Sequence, residues 1–166
     1  MVELTPKERL QPSLLDRLTD YDPDRKQESR AQRILSIQRI REAVLRDLAW
    51  LFNATNLAAA QELEEFPLAS RSVVNYGLPE LAGQTLSGAD LGLLERSLRE
   101  TISDFEPRLL RNTLKIRAVT DKREMARNAI TFEIEGQLWA QPAPEHLLLK
   151  TQVDLESGDV TVHEAA

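Results

Sequence analysis

Residues 87–119 read SGADLGLLERSLRETISDFEPRLLRNTLKIRAV, and two different periodicities meet within them. In the first half, apolar residues recur at steps of three and four, which places them on one face of a helix. These residues are Leu91, Leu94, Leu98, Ile102 and Phe105. Ser87 and Asp90 form a capping-box start that would satisfy free backbone donors of the first turn. We therefore predict a helix that begins at Ser87 and ends near Phe105.

The predicted helix runs into the sequence Glu106-Pro107-Arg108. Pro107 disfavours helical geometry at Glu106 and cannot continue the backbone hydrogen bonding, so the chain must turn there. Beyond this corner, apolar and basic residues alternate, which is typical of a half-buried strand. The apolar residues are Leu110, Leu114, Ile116 and Ala118, and the basic ones are Arg111, Lys115 and Arg117. The sequence thus predicts a helix, a corner and a strand in that order.

Similar patterns extend this plan on both sides. A helix starting at Ser36 carries its apolar stripe on Ile37, Ile40, Val44, Leu48 and Leu51. Residues 130–138, 147–155 and 160–162 alternate as further strands, and Gly136 suggests a bulge or a close backbone approach. Folding the first hairpin about its middle puts Lys115 roughly opposite Glu133. We predict an α+β fold, with helices packed on one face of a small antiparallel sheet formed by a C-terminal meander.

Two shorter segments complete the prediction. Gly77, followed by Pro79, is typical of a residue that ends a helical piece in a left-handed conformation. Residues 1–33 are predicted to be an arm, and residues 34–166 the domain. In the arm, Leu10, Leu14, Leu15 and Leu18 form an apolar stripe on a helix that starts near Ser13. Such a short helix has marginal stability alone, so its stripe either folds back on the domain or docks on a partner. The polar tether that follows it favours a partner.

Composition limits the possible classes of function. With 166 residues, 29% charged and 42% apolar, the chain is expected to be one soluble globular domain. It has no apolar run near the length of a membrane helix, and its charged amino terminus does not resemble a signal peptide. The absence of cysteine suits a reducing compartment, so we expect the cytosol. A formal net charge of −6 argues against a general nucleic-acid binder.

A local run of basic residues follows the corner. It comprises Arg108, Arg111, Lys115, Arg117, Lys122, Arg123 and Arg127. One interpretation is that carboxylates on the next strand neutralise these groups, because cross-strand charge pairs are common in sheets. The other interpretation is a protein-docking patch.

The sequence gives little sign of catalytic or metal chemistry. His146 and His163 are not spaced with carboxylates as a metal site requires, and no phosphate-binding loop or serine-nucleophile motif is present. Glu106 is the one acid in a special position, but Arg108 beside it would lower the carboxyl pKa. That suits an ion pair better than the general acid of a glycoside hydrolase. We predict no catalytic residue, no metal and no cofactor.

Several motifs in order along the chain carry a family resemblance. They are Leu14-Leu15-Asp16-Arg17-Leu18, Ser72-Val73-Val74-Asn75-Tyr76-Gly77-Leu78-Pro79, Phe105-Glu106-Pro107-Arg108-Leu109 and Phe132-Glu133-Ile134-Glu135-Gly136. Together they resemble the phage baseplate wedge family of lysozyme-like name, and within it the TssE subunits of type VI secretion systems. The resemblance covers nearly the full length, and the ordered combination is much more specific than any single motif.

The resemblance implies a structural, non-enzymatic baseplate subunit. Its expected partners are the wedge subunits TssF, TssG and TssK and the sheath subunits TssB and TssC. The expected location is the cytoplasm, at the cytoplasmic face of the inner membrane when assembled. Two other classes of function stay open: a peptidoglycan hydrolase, suggested by the family's label, and a general protein-interaction adaptor.

The resemblance also suggests which residues meet partners. Glu106, Pro107 and Arg108, with Arg111 and Lys115 beyond them, would form a surface that meets the sheath, and Leu14, Leu15 and Leu18 would dock on wedge subunits. A plainer interpretation makes Glu106 and Arg108 a clamp between helix and sheet. Because the resemblance favours a surface role, Arg108→Ala is expected to leave the melting curve near normal.

Sheath subunits join by exchanging strands, so a TssE-like sheet could template the first sheath ring by strand addition. The edge that this requires would need protection against aggregation. Asp159, His163 and Glu164 at the last strand fit such protection.

Overall fold

A computed structural model describes residues 13–19, 37–80, 88–119, 129–139 and 144–165 of the chain. Its helices are α1 (Leu14–Leu18), α2 (Ile37–Phe52), α3 (Pro67–Ser70) and α4 (Gly88–Phe105). Its strands are β1 (Lys115–Val119), β2 (Ala129–Leu138), β3 (Glu145–Asp154) and β4 (Val160–Glu164). Short 3-10 turns span Leu57–Ala59, Val73–Asn75 and Arg111–Thr113. Within these described ranges, no helix is both long and apolar enough to cross a membrane.

The strands form one antiparallel sheet in the order β1-β2-β3-β4, so the predicted meander is confirmed. Helix α2 packs near β4, and α4 packs near β1. Both helices contribute to the same apolar core, which covers one face of the sheet, and the described residues leave the other face open. The predicted α+β class, with helices on one sheet face, is therefore confirmed.

The core follows the predicted periodicities. The stripe of α4 buries Leu94, Leu98 and Ile102, while Leu91 and Phe105 pack at its margin. Every second residue of β2 is buried, with Phe132 fully inaccessible to solvent. Full burial of one such large side chain contributes roughly 1.5–3 kcal/mol, so the stripes on α4, α2 and β2 together hold the helices on the sheet.

The region after the corner departs from the predicted strand. Strand β1 begins at Lys115 rather than Leu110, because the 3-10 turn Arg111–Thr113 interrupts the extended chain. Leu110 N still donates to Gln137 O at 2.9 Å, and Gln137 N donates to Thr113 Oγ1 at 2.9 Å. The chain therefore follows β2 but bulges, and an alternating pattern can hide such a bulge.

The β1–β2 register also differs from the prediction. Lys115 lies opposite Glu135, and Arg117 takes the position opposite Glu133. A shift of two residues keeps every side chain on its predicted face, so apolar alternation cannot detect it. At Gly136 the close neighbour is a side chain rather than the predicted backbone, because a Cβ there would lie 3.1 Å from Leu114 Cδ2.

Gly77 has a φ of +121°, as its predicted conformation requires. A Cβ at this position would lie 2.2 Å from Ala54 O, so no other residue fits. The approach allows Leu78 N to donate to Ala54 O at 2.8 Å, and Asn56 N to Leu78 O at 2.9 Å.

Some predictions lie outside the described residues. They are the helix caps at Ser36 and Ser87 with the Asp90 side chain, Leu10 of the arm, the basic residues Lys122, Arg123 and Arg127, and the boundary between the arm 1–33 and the domain 34–166.

Candidate functional site

The Glu-Pro-Arg corner is fixed to both α4 and the sheet. Glu106 N donates to Ile102 O at 2.8 Å as the last bond of α4, and Leu109 N donates to Glu106 O at 3.2 Å to close the turn. Trp139 N, at the end of β2, donates to Arg108 O at 2.7 Å. The corner backbone therefore has little freedom to move relative to the core.

The Glu106 and Arg108 side chains form a bidentate ion pair. Glu106 Oε1 accepts from Arg108 N at 3.0 Å and from Arg108 Nε at 2.7 Å, while Oε2 accepts from Arg108 Nη2. The same Nη2 donates to Asp47 Oδ2 on α2 at 2.6 Å. Only 3% of Glu106 is exposed. One guanidinium thus joins the end of α4 to the middle of α2 with charge-assisted bonds.

The ion pairs continue from α2 to α1. Asp47 Oδ1 accepts from Arg46 Nε at 2.9 Å, and Arg46 Nη1 donates to Asp16 Oδ1 at 2.7 Å. Ser13, the N-cap of α1, donates from Oγ to Asp16 Oδ2 at 2.6 Å. We call Glu106, Arg108, Asp47, Arg46 and Asp16 the corner network. Its charges alternate in sign and connect the corner, α2 and α1.

Within the network, the pKa values of Asp16, Arg46 and Arg108 are shifted towards the charged forms. Burial acts to lower the pKa of Arg108, but the hydrogen bonds and charges of Glu106 and then Asp47 outweigh it and raise that pKa. Burial acts to raise the pKa of Asp16, and hydrogen bonds from Arg46 and Ser13 outweigh it, so this pKa is lowered. Burial, followed by the charges of Asp47 and Glu106, raises the pKa of the Tyr76 hydroxyl.

A half-open groove of about 420 Å³ lies beside the network. Its lining is Ser13, Asp47, Leu48, Leu51, Tyr76, Phe105, Glu106, Pro107 and Arg108. Tyr76 and Phe105 meet edge to face with ring centroids 5.4 Å apart. The two carboxylates of the groove share one guanidinium, whereas a glycosidase needs one carboxyl held neutral by an apolar setting. The geometry therefore fits an ionic clamp better than an acid–base pair.

The residues predicted to meet the sheath differ in their exposure to solvent. Glu106 is buried, Pro107 is exposed, and the Arg108 side chain is 25% exposed. The burial of Glu106 overturns the expectation of a near-normal melting curve for Arg108→Ala, because that change would strand a buried carboxylate. Arg111 and Lys115 are exposed and lie outside the corner network.

Lys115 has an acidic neighbour on the next strand, as the neutralised interpretation predicts, whereas the acidic neighbour of Arg111 belongs to α4. Arg111 Nη2 lies 3.7 Å from Asp104 Oδ1, and Lys115 Nζ lies 3.3 Å from Glu135 Oε2 on the open sheet face. His146 Nε2 is 3.2 Å from Glu135 Oε1. In the described part of the chain, no cluster of His, Cys, Asp or Glu side chains is suited to hold a metal ion.

Helix α1 begins after Ser13 as predicted, and it contacts the domain through its polar side. The side chain of Asp16 is 8% exposed, whereas Leu14, Leu15 and Leu18 are 70%, 43% and 74% exposed. The arm thus reaches back to the domain and yet leaves its leucines uncovered by the described residues. Their binding to wedge subunits stays a prediction.

Sequence reasoning missed Arg46, Asp47 and Tyr76. Asp47 is 61 residues from Arg108, and Arg46 is 30 residues from Asp16, so no local spacing reveals either contact. The available signal was indirect, because Asp16 and Tyr76 both belong to motifs that carry the family resemblance.

Comparisons with known proteins place the chain in a family. The profile of the family described as baseplate wedge protein gp25 matches residues 38–143, which include α2, α4, the corner and β2. A solved structure of a candidate tail lysozyme from Geobacter sulfurreducens is also similar, with 16% sequence identity and a TM-score of 0.45 over 80% of this chain and 96% of that one. That likeness is too distant to bear on activity. No curated protein matches the chain. Because the family profile spans well over half of its length, the chain belongs to the baseplate wedge protein gp25 family.

Proposed function

We propose that the chain is a TssE-like structural subunit of a type VI secretion system baseplate. In this role it joins the wedge subunits TssF, TssG and TssK and anchors the first ring of the TssB–TssC sheath. It acts in the cytoplasm, at the cytoplasmic face of the inner membrane once assembled, and without catalysis. Membership of the baseplate wedge family supports this proposal. So do the ion pairs that the two carboxylates of the groove, Asp47 and Glu106, form with Arg108.

The outward backbone groups of β4 that have no partner among the described residues carry the proposal. At the β1 edge, Glu95 Oε1 on α4 accepts from Ala118 N at 2.6 Å, so a helix side chain occupies an outward backbone donor. A visiting strand would have to displace this carboxylate. Strand addition at this position of β1 is therefore blocked.

The β4 edge is occupied at one position and has further outward groups beyond it. The Asn53 side chain pairs with both outward groups of Val160, donating to its O at 2.8 Å and accepting from its N at 2.9 Å. Backbone direction alternates along a strand, so Val162 and Glu164 also face outward. Among the described residues, no hydrogen-bond partner meets their outward backbone groups. These groups favour addition of a sheath strand at β4.

Proline at position 162 tests this proposal. Val162→Pro removes an outward N–H that β3 does not use, so the fold is expected to persist, as edge prolines generally allow. Sheath assembly in cells should be lost. Val162→Ala is the matched control, because it shortens the side chain and keeps the N–H, and it should support assembly. Normal sheaths with a folded Val162→Pro protein would refute strand addition at this edge.

The hydrolase alternative has its own test. The purified chain is expected to clear no more peptidoglycan than a heat-inactivated sample at any pH from acid to neutral. Turnover that is lost in a folded Glu106→Gln variant would replace the structural proposal with an enzymatic one.

A further inference from the structure

The two ends of a long loop between α2 and α4 are bonded to each other, and its middle is bonded to α4. We call residues 55–78 the closed loop. At its base, Thr55 and Leu78 form a parallel bridge beside Gly77. Farther along, Arg71 Nη2 donates to Asp104 Oδ1 on α4 at 2.9 Å.

Polar side chains of the closed loop bond to the loop's own backbone. Asn75 Oδ1 accepts from Ala58 N at 2.9 Å, and Asn75 Nδ2 donates to Ser70 O at 2.8 Å. Ser72 Oγ donates to Ala69 O at 2.9 Å. These hydrogen bonds within the loop hold its backbone in one conformation.

Several apolar side chains of the closed loop, in contrast, are exposed to solvent. Phe66, Leu68, Val73 and Val74 are 59%, 88%, 81% and 63% exposed. No residue in the described ranges buries them. An ordered loop that turns several apolar side chains outward is typical of a protein interaction site.

The charge of the loop indicates what kind of partner fits. Glu62, Glu64 and Glu65 directly precede Phe66 and are exposed, and no described cation forms an ion pair with them. The loop's one basic side chain, Arg71, is already paired with Asp104. An apolar surface beside uncompensated carboxylates complements a segment that carries apolar residues flanked by Lys or Arg.

We propose that the closed loop docks a basic, amphipathic segment of a wedge subunit. This inference rests on the proposed baseplate function and names a surface separate from the β4 edge. Leu68 and Val73 provide the apolar contacts, and Glu62, Glu64 and Glu65 attract the basic flanks.

The test measures binding of the full chain to purified TssF, TssG and TssK, alone and combined. Leu68→Ser with Val73→Ser should weaken binding by about tenfold or more, because the partner would lose two apolar contacts that exclude water. Leu93→Ser is the matched control, because Leu93 is 61% exposed on α4 outside the loop, and it should bind normally.

A charge-reversed variant tests the choice of partner. Glu62→Lys, Glu64→Lys and Glu65→Lys together should slow association, and added salt should reduce the difference from wild type. Glu42→Lys on α2 is the control for a charge reversal outside the loop, and it should bind normally. All of these side chains are exposed, so the melting curves should match that of the wild-type chain.

The outcomes separate the two proposals. If the wild-type chain binds wedge subunits and the loop variants bind equally well, the inference is wrong and the baseplate function stands. If the wild-type chain binds none of them, both fail. Self-association that disappears in the Leu68→Ser, Val73→Ser variant would assign the loop to a second copy of the chain and overturn the inference.

Discussion

The corner network and the open sheet face contain the same kinds of ion pair in different surroundings. At the corner, Glu106 is 3% exposed and accepts from Arg108 Nε at 2.7 Å. On the sheet face, the side chains of Lys115 and Glu135 are 59% and 39% exposed, and their closest charged atoms are 3.3 Å apart. The two pairs differ in solvent exposure, and the basic partner is Arg at the corner and Lys on the sheet. The corner thus contains a structural ion pair, whereas the charges on the sheet face remain accessible to solvent.

Arg108→Ala should produce the largest effect. It leaves the Glu106 carboxylate buried without its main partner, which costs about 3–5 kcal/mol of unfolding free energy. For a domain of this size, each kcal/mol lowers the melting temperature by about 2–4 °C. Thermal melts of the purified variant check this expectation, and a near-normal curve would show that water reaches Glu106 in solution.

A double variant tests whether the unpaired carboxylate causes this loss of stability. Replacing both groups, as in Glu106→Leu with Arg108→Met, removes the stranded charge and should recover most of the lost stability. Asp47 keeps Arg46 as a partner in this variant. A double variant less stable than Arg108→Ala would mean that the pair itself, rather than the unpaired carboxylate, determines stability.

The Asp16–Arg46 pair is intermediate, because Asp16 is buried while the Arg46 side chain is 30% exposed. Asp16→Asn should release α1 at a cost of about 1 kcal/mol or less and leave the melting temperature of the domain nearly unchanged. Hydrogen exchange at Thr19 N, which donates to Leu15 O at 3.0 Å, should accelerate. Deleting residues 1–30 should likewise change the melting temperature little, and a loss of several degrees would show that the arm supports the core.

Acid should reproduce the Asp16→Asn result in the wild-type chain. The pKa of Asp16 is lowered in the folded state, so the pair contributes fully above the unfolded value of about 4. The contribution is lost as the pH falls through the lower folded pKa. The protection factor of Thr19 N, which corrects for the pH dependence of intrinsic exchange, should therefore fall below pH ~4 in the wild-type chain but not in Asp16→Asn.

Lys115→Ala should produce the smallest effect. Water screens its pair with Glu135, so the melting temperature should not change measurably at physiological salt. The pKa of Glu135 is lowered first by His146 and then by Lys115, so the variant should raise that pKa towards its usual value. A carboxyl titration followed by NMR measures this shift. A clear loss of stability would indicate that this sheet face is covered in solution.

The helix, corner and strands could be predicted because each depends on side chains that are close in sequence. The stripe of α4 and the alternation of β2 report burial directly, and Pro107 fixes the turn between helix and sheet. The start of β1 was missed because Leu110 occupies an even position like Leu114 and Ile116. The turn Arg111–Thr113 lies between them, and Leu109 rather than Leu110 is buried. The corner network was missed because it joins Asp16, Asp47 and Arg108 across long stretches of chain.

Helix α2 holds β4 at both ends of the strand. Asn53, just after the helix, pairs with the backbone of Val160, and Arg41, near its start, binds the carboxylate of Glu164 and donates to His146 O at 2.9 Å. A force applied along β4 is therefore shared between the hydrogen bonds to β3 and these contacts to a rigid helix. Peeling the strand from the sheet would require both attachments to break. The edge that we propose for sheath attachment is thus reinforced against mechanical load.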